Sequence, residues 1–292
     1  MTGYNIAEDR AVLRISGADR IDFLQGIVSN DVAKAGNSRG VWAAFLTPQG
    51  KYLHDFFLAA DGESILLDCE KARSADLHKR LRRYTLRSDA RVEAAGDLVV
   101  ALALVDVAPA SDLAACFPDP RHREAGYRTI GSRISVERTM ADAGIAPSDL
   151  LEWDRRRLAS GLPDGSRDLE IERSTLAEGN LDLLGGIDWD KGCWMGQEVT
   201  ARMHYRGLAK RRLTPMRVSG PMPEPGARVE RNGVSVGECR SSAGDLVMVL
   251  ARTDAIDETE NGLRSGETRL NPAPPEWLKV ALNEDSAASG AA

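Results

Sequence analysis

The sequence predicts an α+β protein that ends in a small all-β barrel. Three observations carry this. Strand-length apolar runs alternate with helical periodicities over roughly the first 160 residues, and some of those runs are joined as hairpins. The strands and helices do not repeat as the regular β-α units of a doubly wound sheet. From Leu213 onward nearly every apolar segment has strand length, and Asn232-Gly233 is a strong two-residue hairpin signal.

Taken in order, AVLRISG (11–17) alternates as a strand. ADRIDFLQGIVSND follows as a helix with Ile21, Leu24, Ile27 and Val28 at helical spacing, stopped by Asn30-Asp31. VWAAFLTPQGKYLHDFFLAADG reads as two strands around a Pro-Gln-Gly turn, and SILLDC as a third. KARSADLHKRLRRYTLR is a basic helix with Leu77, Leu81 and Tyr84 on its inner stripe, and LVVALALVDVA is a buried strand. APSDLLEWDRRRLASGLPDGS is a helix with Ser148 as N-cap, Gly161 at its C-terminal stop and Pro163 beyond. RLTPMRVSG, ARVERNGVSVGECRSS and DLVMVLART are the barrel strands, and TRLNPAPPEWLKVAL adds one or two more. The expected divisions are 1–208 for the α+β region, 209–282 for the barrel and 283–292 for a disordered tail.

The chain has 292 residues, enough to bury roughly 75% of its unfolded surface without staples. Its 42% hydrophobic and 28% charged composition is that of a globular protein. The formal net charge of −6 argues against a dedicated nucleic-acid binder. The first ten residues lack the basic start and apolar core of a secretory signal. The longest apolar run, LVVALALV, has eight residues against the ~20 of a membrane span. Four dispersed cysteines, at 69, 116, 193 and 239, fit neither a disulfide frame nor a zinc or standard iron–sulfur cage. The expectation is a reduced, cytoplasmic, monomeric protein.

The most informative stretch is DKGCWMGQEVTARMHYRG, 190–207. Gly192 and Gly196 bracket Cys193, and a helix fits Gln197 to Arg206 with Gly207 closing it. Glu198 and Arg202 are a favourable i,i+4 ion pair, and Val199 with Met203 form an apolar pair expected to face the core. Cys193 then precedes a helix N-terminus and follows Lys191 by two residues, a setting that favours a thiolate. A free cysteine is equally at home as a small buried hydrophobe. A cysteine hydrolase would need a base, and only His204 and His54 are candidates, neither tied to Cys193 by a signature.

KGCWMGQEVTARMHYRG resembles the signature of the YgfZ-type folate-binding proteins that assist iron–sulfur cluster assembly or repair, within the glycine-cleavage T-protein (GcvT-like, aminomethyltransferase-like) superfamily. RISGADRIDFLQGIVSNDV, LTPQGKYLHDFFL, WDRRRLASGLPDG and NLDLLGGIDWDKGC are similar to other parts of that pattern and extend the resemblance over most of residues 10 to 210. It implies an aminomethyltransferase-like α+β fold: interleaved subdomains in a ring with a central channel, plus the C-terminal barrel. It implies tetrahydrofolate or a derivative as cofactor, and transient iron–sulfur assembly or client proteins as partners, tRNA-modifying enzymes among them.

The resemblance gives Cys193 a functional role, with Lys191, Gly192, Gly196, Gln197 and Glu198 forming a loop at the channel. Trp153 falls where family members carry a folate-contacting tryptophan, and its indole offers a flat face to a pterin. Asn30, Asn180, Arg157 and Arg202 join the folate-binding candidates, although either asparagine serves equally well as a turn residue.

The chain departs from the family at two places. Arg10 stands where a second ring-contacting tryptophan is expected, so that either folate affinity is weaker or Trp42 or Trp189 supplies the aromatic contact. His54-Asp55 stands where the methyltransferases carry an acidic pair, leaving Asp55 as the one catalytic carboxylate. A folate-dependent aminomethyl or one-carbon transferase is therefore the alternative to an assembly factor without turnover. The basic stretches His78–Arg91 and AKRRL (209–213) read as solvated faces or as strips for an anion, either a folate tail or RNA.

Overall fold

The computed structural model describes residues 2–109, 112–205, 209–256 and 262–282. The tail expected over 283–292, and Arg206 and Gly207 at the expected end of the motif helix, lie outside them. The chain divides into two compact units. The first comprises 1–48, 53–153 and 184–197, and the second 49–52, 154–183 and 198–292.

In the first unit, β1 (Gly3–Ile6) and β2 (Arg10–Ser16) enter different sheets. Helix α1 (Arg20–Gln25) is shorter than its periodicity suggests. Its expected members Ile27 and Val28 lie past its end yet remain buried. Then come β3 (Val41–Leu46), β4 (Tyr52–Asp61), β5 (Ser64–Glu70), α2 (Ser74–Tyr84) and β6 (Arg91–Ala94). They complete a five-stranded sheet of order β3-β4-β5-β2-β6. Strands β7 (Val99–Leu104), β8 (Ala115–Pro118) and β9 (Tyr127–Gly131) form a second sheet of order β1-β7-β9-β8, followed by α3 (Arg133–Asp142) and α4 (Leu150–Ala159), whose residues from Asp154 on count with the second unit.

Alternation along the strands gives each sheet two faces. On the five-stranded sheet, Leu13, Ile15, Phe45, Phe56, Leu58, Ile65 and Leu67 form one core with Phe23 and Leu24 of α1 and Leu77 and Leu81 of α2. Tyr84 departs from the expected inner stripe and is 45% exposed. It is the last residue of α2, and its ring meets Phe45 edge-on while its hydroxyl reaches the Met195 sulfur.

The opposite face carries Arg10, Trp42, Asp55, Phe57 and Asp68, and it meets the second sheet through charge. Asp68 binds Arg10 at 2.6 Å and Arg128 of β9 at 2.7 Å. Arg128 also binds Asp119 at 3.0 Å, and Asp119 binds Arg121 at 2.8 Å. The Arg128 guanidinium lies 3.5 Å from the Phe57 ring centroid, and Arg121 lies over Phe57 and Trp42. Burial would raise the Asp119 carboxyl, but Arg121 and Arg128 outweigh it and hold its pKa at about 2. Arg10, the departure noted in the sequence, is a member of this buried chain.

The second unit contains α5 (Gln197–Tyr205, of which Gln197 counts with the first unit) and a closed six-stranded barrel. The barrel consists of β10 (Arg211–Ser219), β11 (Arg228–Arg231), β12 (Val234–Ala243), β13 (Leu246–Arg252), β14 (Leu263–Ser265) and β15 (Thr268–Pro272). Met216, Val229, Cys239, Val247, Val249 and Leu270 fill its interior. Asn232 and Gly233 join β11 to β12 at φ 53° and 78°, the left-handed pair a tight hairpin requires. The sequence expectation fails after Pro272. TRLNPAPPEWLKVAL, with its expected one or two strands, holds one, β15; residues 276–282 are helical, and Pro274-Pro275 starts the turn.

Removing one member of the inter-sheet charge chain strands its partners in a buried site. Arg128→Met is expected to lose about 3–5 kcal/mol in urea unfolding.

Candidate functional site

The loop of residues 184–197 is held against the segment that follows α1. Ser29 donates its hydroxyl hydrogen to the Gly186 carbonyl at 2.6 Å and accepts the Ala44 amide at 2.8 Å. The Asn30 amide nitrogen donates to the carbonyls of Trp42 and Gly185, each at 2.7 Å. Backbone bonds from Asp188 to Ser29 and from Met195 to Gly26 pin the two ends of the loop. Within it, the Asp188 carboxylate accepts the amides of Asp190 and Lys191, and also pairs with Lys34. The loop is thus a fixed turn, built by an aspartate that folds its own following residues back.

Lys191 completes the anchoring. Its ammonium donates to the carbonyls of Gln25, the last residue of α1, at 2.9 Å, and of Val28 at 2.7 Å and Asn30 at 2.8 Å in the segment that follows. Burial pushes its pKa down to about 8, against the pull of Asp31 and Asp188. All three N–H donors point at backbone oxygen, so Lys191 supports the loop rather than attacking a substrate.

At the crest, Gly192 and Cys193 are exposed, and a Cβ on Gly192 would meet nothing within 4 Å. Cys193 is the one exposed thiol of four: Cys69 and Cys239 are buried and Cys116 intermediate. Trp194 is buried beside it, and Gly196 has φ +84°, a conformation that favours glycine. The Trp194 amide donates to the Gln197 side-chain oxygen at 3.1 Å, linking the turn to the first residue of α5. Glu198 and Arg202 form the expected i,i+4 pair at 2.6 Å, in solvent. Val199 and Met203 are only half-buried; Thr200 is the buried residue of α5.

A cavity of about 540 Å³ lies in the first unit under the other side of this loop. Asn30, Lys34, Arg39, Trp42, Asp188 and Trp189 are among its lining residues. Of the folate-binding candidates, Asn30 lines it together with Trp42 and Trp189, the two substitute ring contacts, and both amide hydrogens of Asn30 are engaged by backbone oxygen. Cys193 does not line it. Trp153 is 5% exposed, with Arg128 6.0 Å from its ring centroid. Asp55 is buried and accepts the Trp42 indole hydrogen at 2.9 Å. His54 is buried with Nε2 3.0 Å from Asp76. Burial and Arg73 push its pKa down to about 4 despite Asp76, so near neutral pH the imidazole is uncharged.

Two candidates in the second unit are internal supports. Arg157 is fully buried and holds Asp154 at 2.6 Å, Asp168 at 3.0 Å and the Ser241 hydroxyl at 2.8 Å. Asn180 is fully buried at φ 59° and donates to the Leu213 carbonyl at 2.9 Å. Sequence reasoning missed Lys34, Arg39 and Asp188 as cavity residues. Of these only Asp188, beside Trp189 in IDWD, left a local signal.

The family model for the CAF17 C-terminal beta-barrel domain matches residues 210–280. The human iron-sulfur cluster assembly factor IBA57, mitochondrial, is 30% identical over 302 residues, covering 92% of this chain and 83% of its own. Its mouse counterpart is 29% identical, covering 94% and 85%. An IBA57 homolog of Pyricularia oryzae is 28% identical, covering 88% and 73%. Among solved structures, glycine cleavage system aminomethyltransferase T from Bartonella henselae superposes with a TM-score of 0.76 at 15% identity, over 94% of this chain and 85% of that one. The fold is therefore aminomethyltransferase-like, with the six-stranded barrel at its C-terminal end. The cytoplasmic expectation is corrected: these relatives are named mitochondrial, and dispersed thiols mark a reducing compartment without telling one from another.

Lys191→Met leaves three carbonyls without their donor. We expect a loss of about 3 kcal/mol in urea unfolding. His54 titrates near 4 when folded and near 6.5 when unfolded, so the unfolded chain binds more protons between these values. Its contribution, about 3 kcal/mol, is complete above pH 6.5 and is lost as pH falls toward 4. His54→Gln should flatten that part of the profile of urea midpoint against pH.

Proposed function

The chain belongs to the IBA57 family of iron–sulfur cluster assembly factors, and from that premise we propose that it works as a tetrahydrofolate-binding accessory protein in cluster assembly or repair on client enzymes, tRNA-modifying ones included. One observation carries the reading: the chain's one exposed thiol, Cys193, stands on a turn whose position is fixed by Lys191, Ser29 and Asn30. A single thiolate supplies one ligand of a cluster that ordinarily takes four, so the remainder come from a partner protein and the contact is transient. The role is one of presentation rather than turnover.

The cavity supports the folate part. Its volume falls in the range of about 300–1,000 Å³ used by small-molecule sites. Trp189 is half-buried at its wall and offers a ring face, and Arg39 offers a cation for a carboxylate. Tetrahydrofolate bound there would be held by these two residues and by the loop residues Gly185 to Asp190. Trp153 and Asp55 support the site from the buried charge chain.

The aminomethyltransferase-like fold and the retained Asp55 favour a second reading, a one-carbon transferase. Complementation in a strain lacking its own family member separates the two, with cluster-dependent enzyme activity under oxidative stress as the readout. Assembly predicts that Cys193→Ser fails while Asp55→Asn restores activity. The reverse pattern, with folate-dependent release of a one-carbon unit from an amine donor by the wild type, would establish the transferase. Full activity of both variants would refute the role given to Cys193.

A further inference from the structure

The second unit carries a cleft of about 540 Å³ that the proposed function leaves unused. Five arginines line it, Arg173, Arg211, Arg228, Arg240 and Arg252, against three glutamates, an excess of two positive charges in a chain whose net charge is −6. One of the basic stretches noted in the sequence, AKRRL, supplies Arg211. Its neighbour Arg212 takes the other fate of such residues, buried against Asp182 at 3.0 Å.

The barrel ladder sets the arginines side by side. Arg211 on β10 stands directly opposite Arg252 on β13. Like charges facing each other across a ladder destabilise the pair. Asp254 relieves Arg252, with an Nε–Oδ1 contact of 3.0 Å. Among the described residues, Arg211 reaches only the Leu250 carbonyl, at 3.4 Å. Farther round the barrel, Arg228 of β11 is exposed, and Glu238 opposite it is engaged by Arg240. Arg240 itself is fixed between Glu238 and Glu170, with its side chain 11% exposed, so it forms a rigid wall. Gly237 also lines the cleft, and a Cβ there would come within 2.6 Å of the Leu250 carbonyl oxygen, so this position is closed to a side chain.

We propose that this cleft binds a small oligoanion, a molecule bearing two or more phosphate or carboxylate groups, gripped by Arg211 and Arg228 against the fixed Arg240. Guanidinium forks match both anion types bidentately, and the volume is that of a small-molecule site. Binding relieves the repulsion between Arg211 and Arg252, so an occupied cleft is a more stable barrel.

The test uses the full chain, with pyrophosphate and citrate as probes at ionic strength matched by sodium chloride, read by titration calorimetry and thermal unfolding. At least one probe should bind and raise the unfolding temperature above the matched-salt control. Arg211→Gln with Arg228→Gln should weaken that binding by roughly tenfold or more. The ligand-free unfolding temperature of this variant should hold or rise, because a repulsive pair has been removed. Arg228→Gln alone, at an exposed position, gives the same reading should the double variant fold poorly. Tighter pyrophosphate binding assigns the site to phosphates, and tighter citrate binding to carboxylates. Binding no stronger than in matched salt, or binding unchanged in the variants, would overturn the proposal.

Discussion

A single ammonium group organises the candidate site. Helix α1 stops at Gln25, and the chain turns through Asn30 with the carbonyls of Gln25, Val28 and Asn30 turned toward Lys191. Lys191 supplies donors from 161 to 166 residues away, making contacts with Gln25, Val28 and Asn30. The constraint acts in both directions: the end of α1 gains its caps, and the loop that carries Cys193 gains a fixed position two residues from the sulfur. Asn30 and Ser29 tie the preceding half of the loop to β3 in the same way. Rigid support beneath and open space above are what a thiol needs to meet another protein in one orientation.

Behind the loop, the first unit departs from an all-apolar sheet interface. Asp68, Arg128, Asp119, Arg121 and Arg10 form a buried chain of opposite charges packed on Phe57 and Trp42. A chain of this kind contributes little net stability over a hydrocarbon core, but it tolerates only one arrangement of its members. It ties the two sheets together, and Trp42, beneath Arg121, donates its indole hydrogen to Asp55. The position where the family resemblance calls for an aromatic ring holds Arg10, which here works structurally.

Local signals in the sequence were strong where the physics is local. The Asn232-Gly233 hairpin, strands β2 to β5 of the five-stranded sheet and the glycine-bracketed turn before α5 each follow from residues within a few positions, whereas β6 left no such signal. Tertiary bonds were not legible. Lys191 read as a charge near a thiol, but its role comes from carbonyls more than 150 residues distant. Arg157 and Asn180 read as ligand contacts because polar side chains in a resembling motif invite that reading. Their partners, Asp168, Ser241 and the Leu213 carbonyl, lie 11 to 84 residues away. Tyr84 and the helix over 276–282 failed differently. The last residue of a helix can leave its periodic stripe, and a double proline can open a helix as readily as it ends a strand.

The central claim is that the loop carrying Cys193 is a fixed platform beneath an open thiol. Native-state amide hydrogen exchange tests it residue by residue. The account predicts that the amides of Asp188, bonded to Ser29, and Met195, bonded to Gly26, are protected to a degree comparable with β3, while the amides of Gly192 and Cys193 exchange freely. Free exchange at Asp188 and Met195 in the native protein would show an unanchored loop and contradict it.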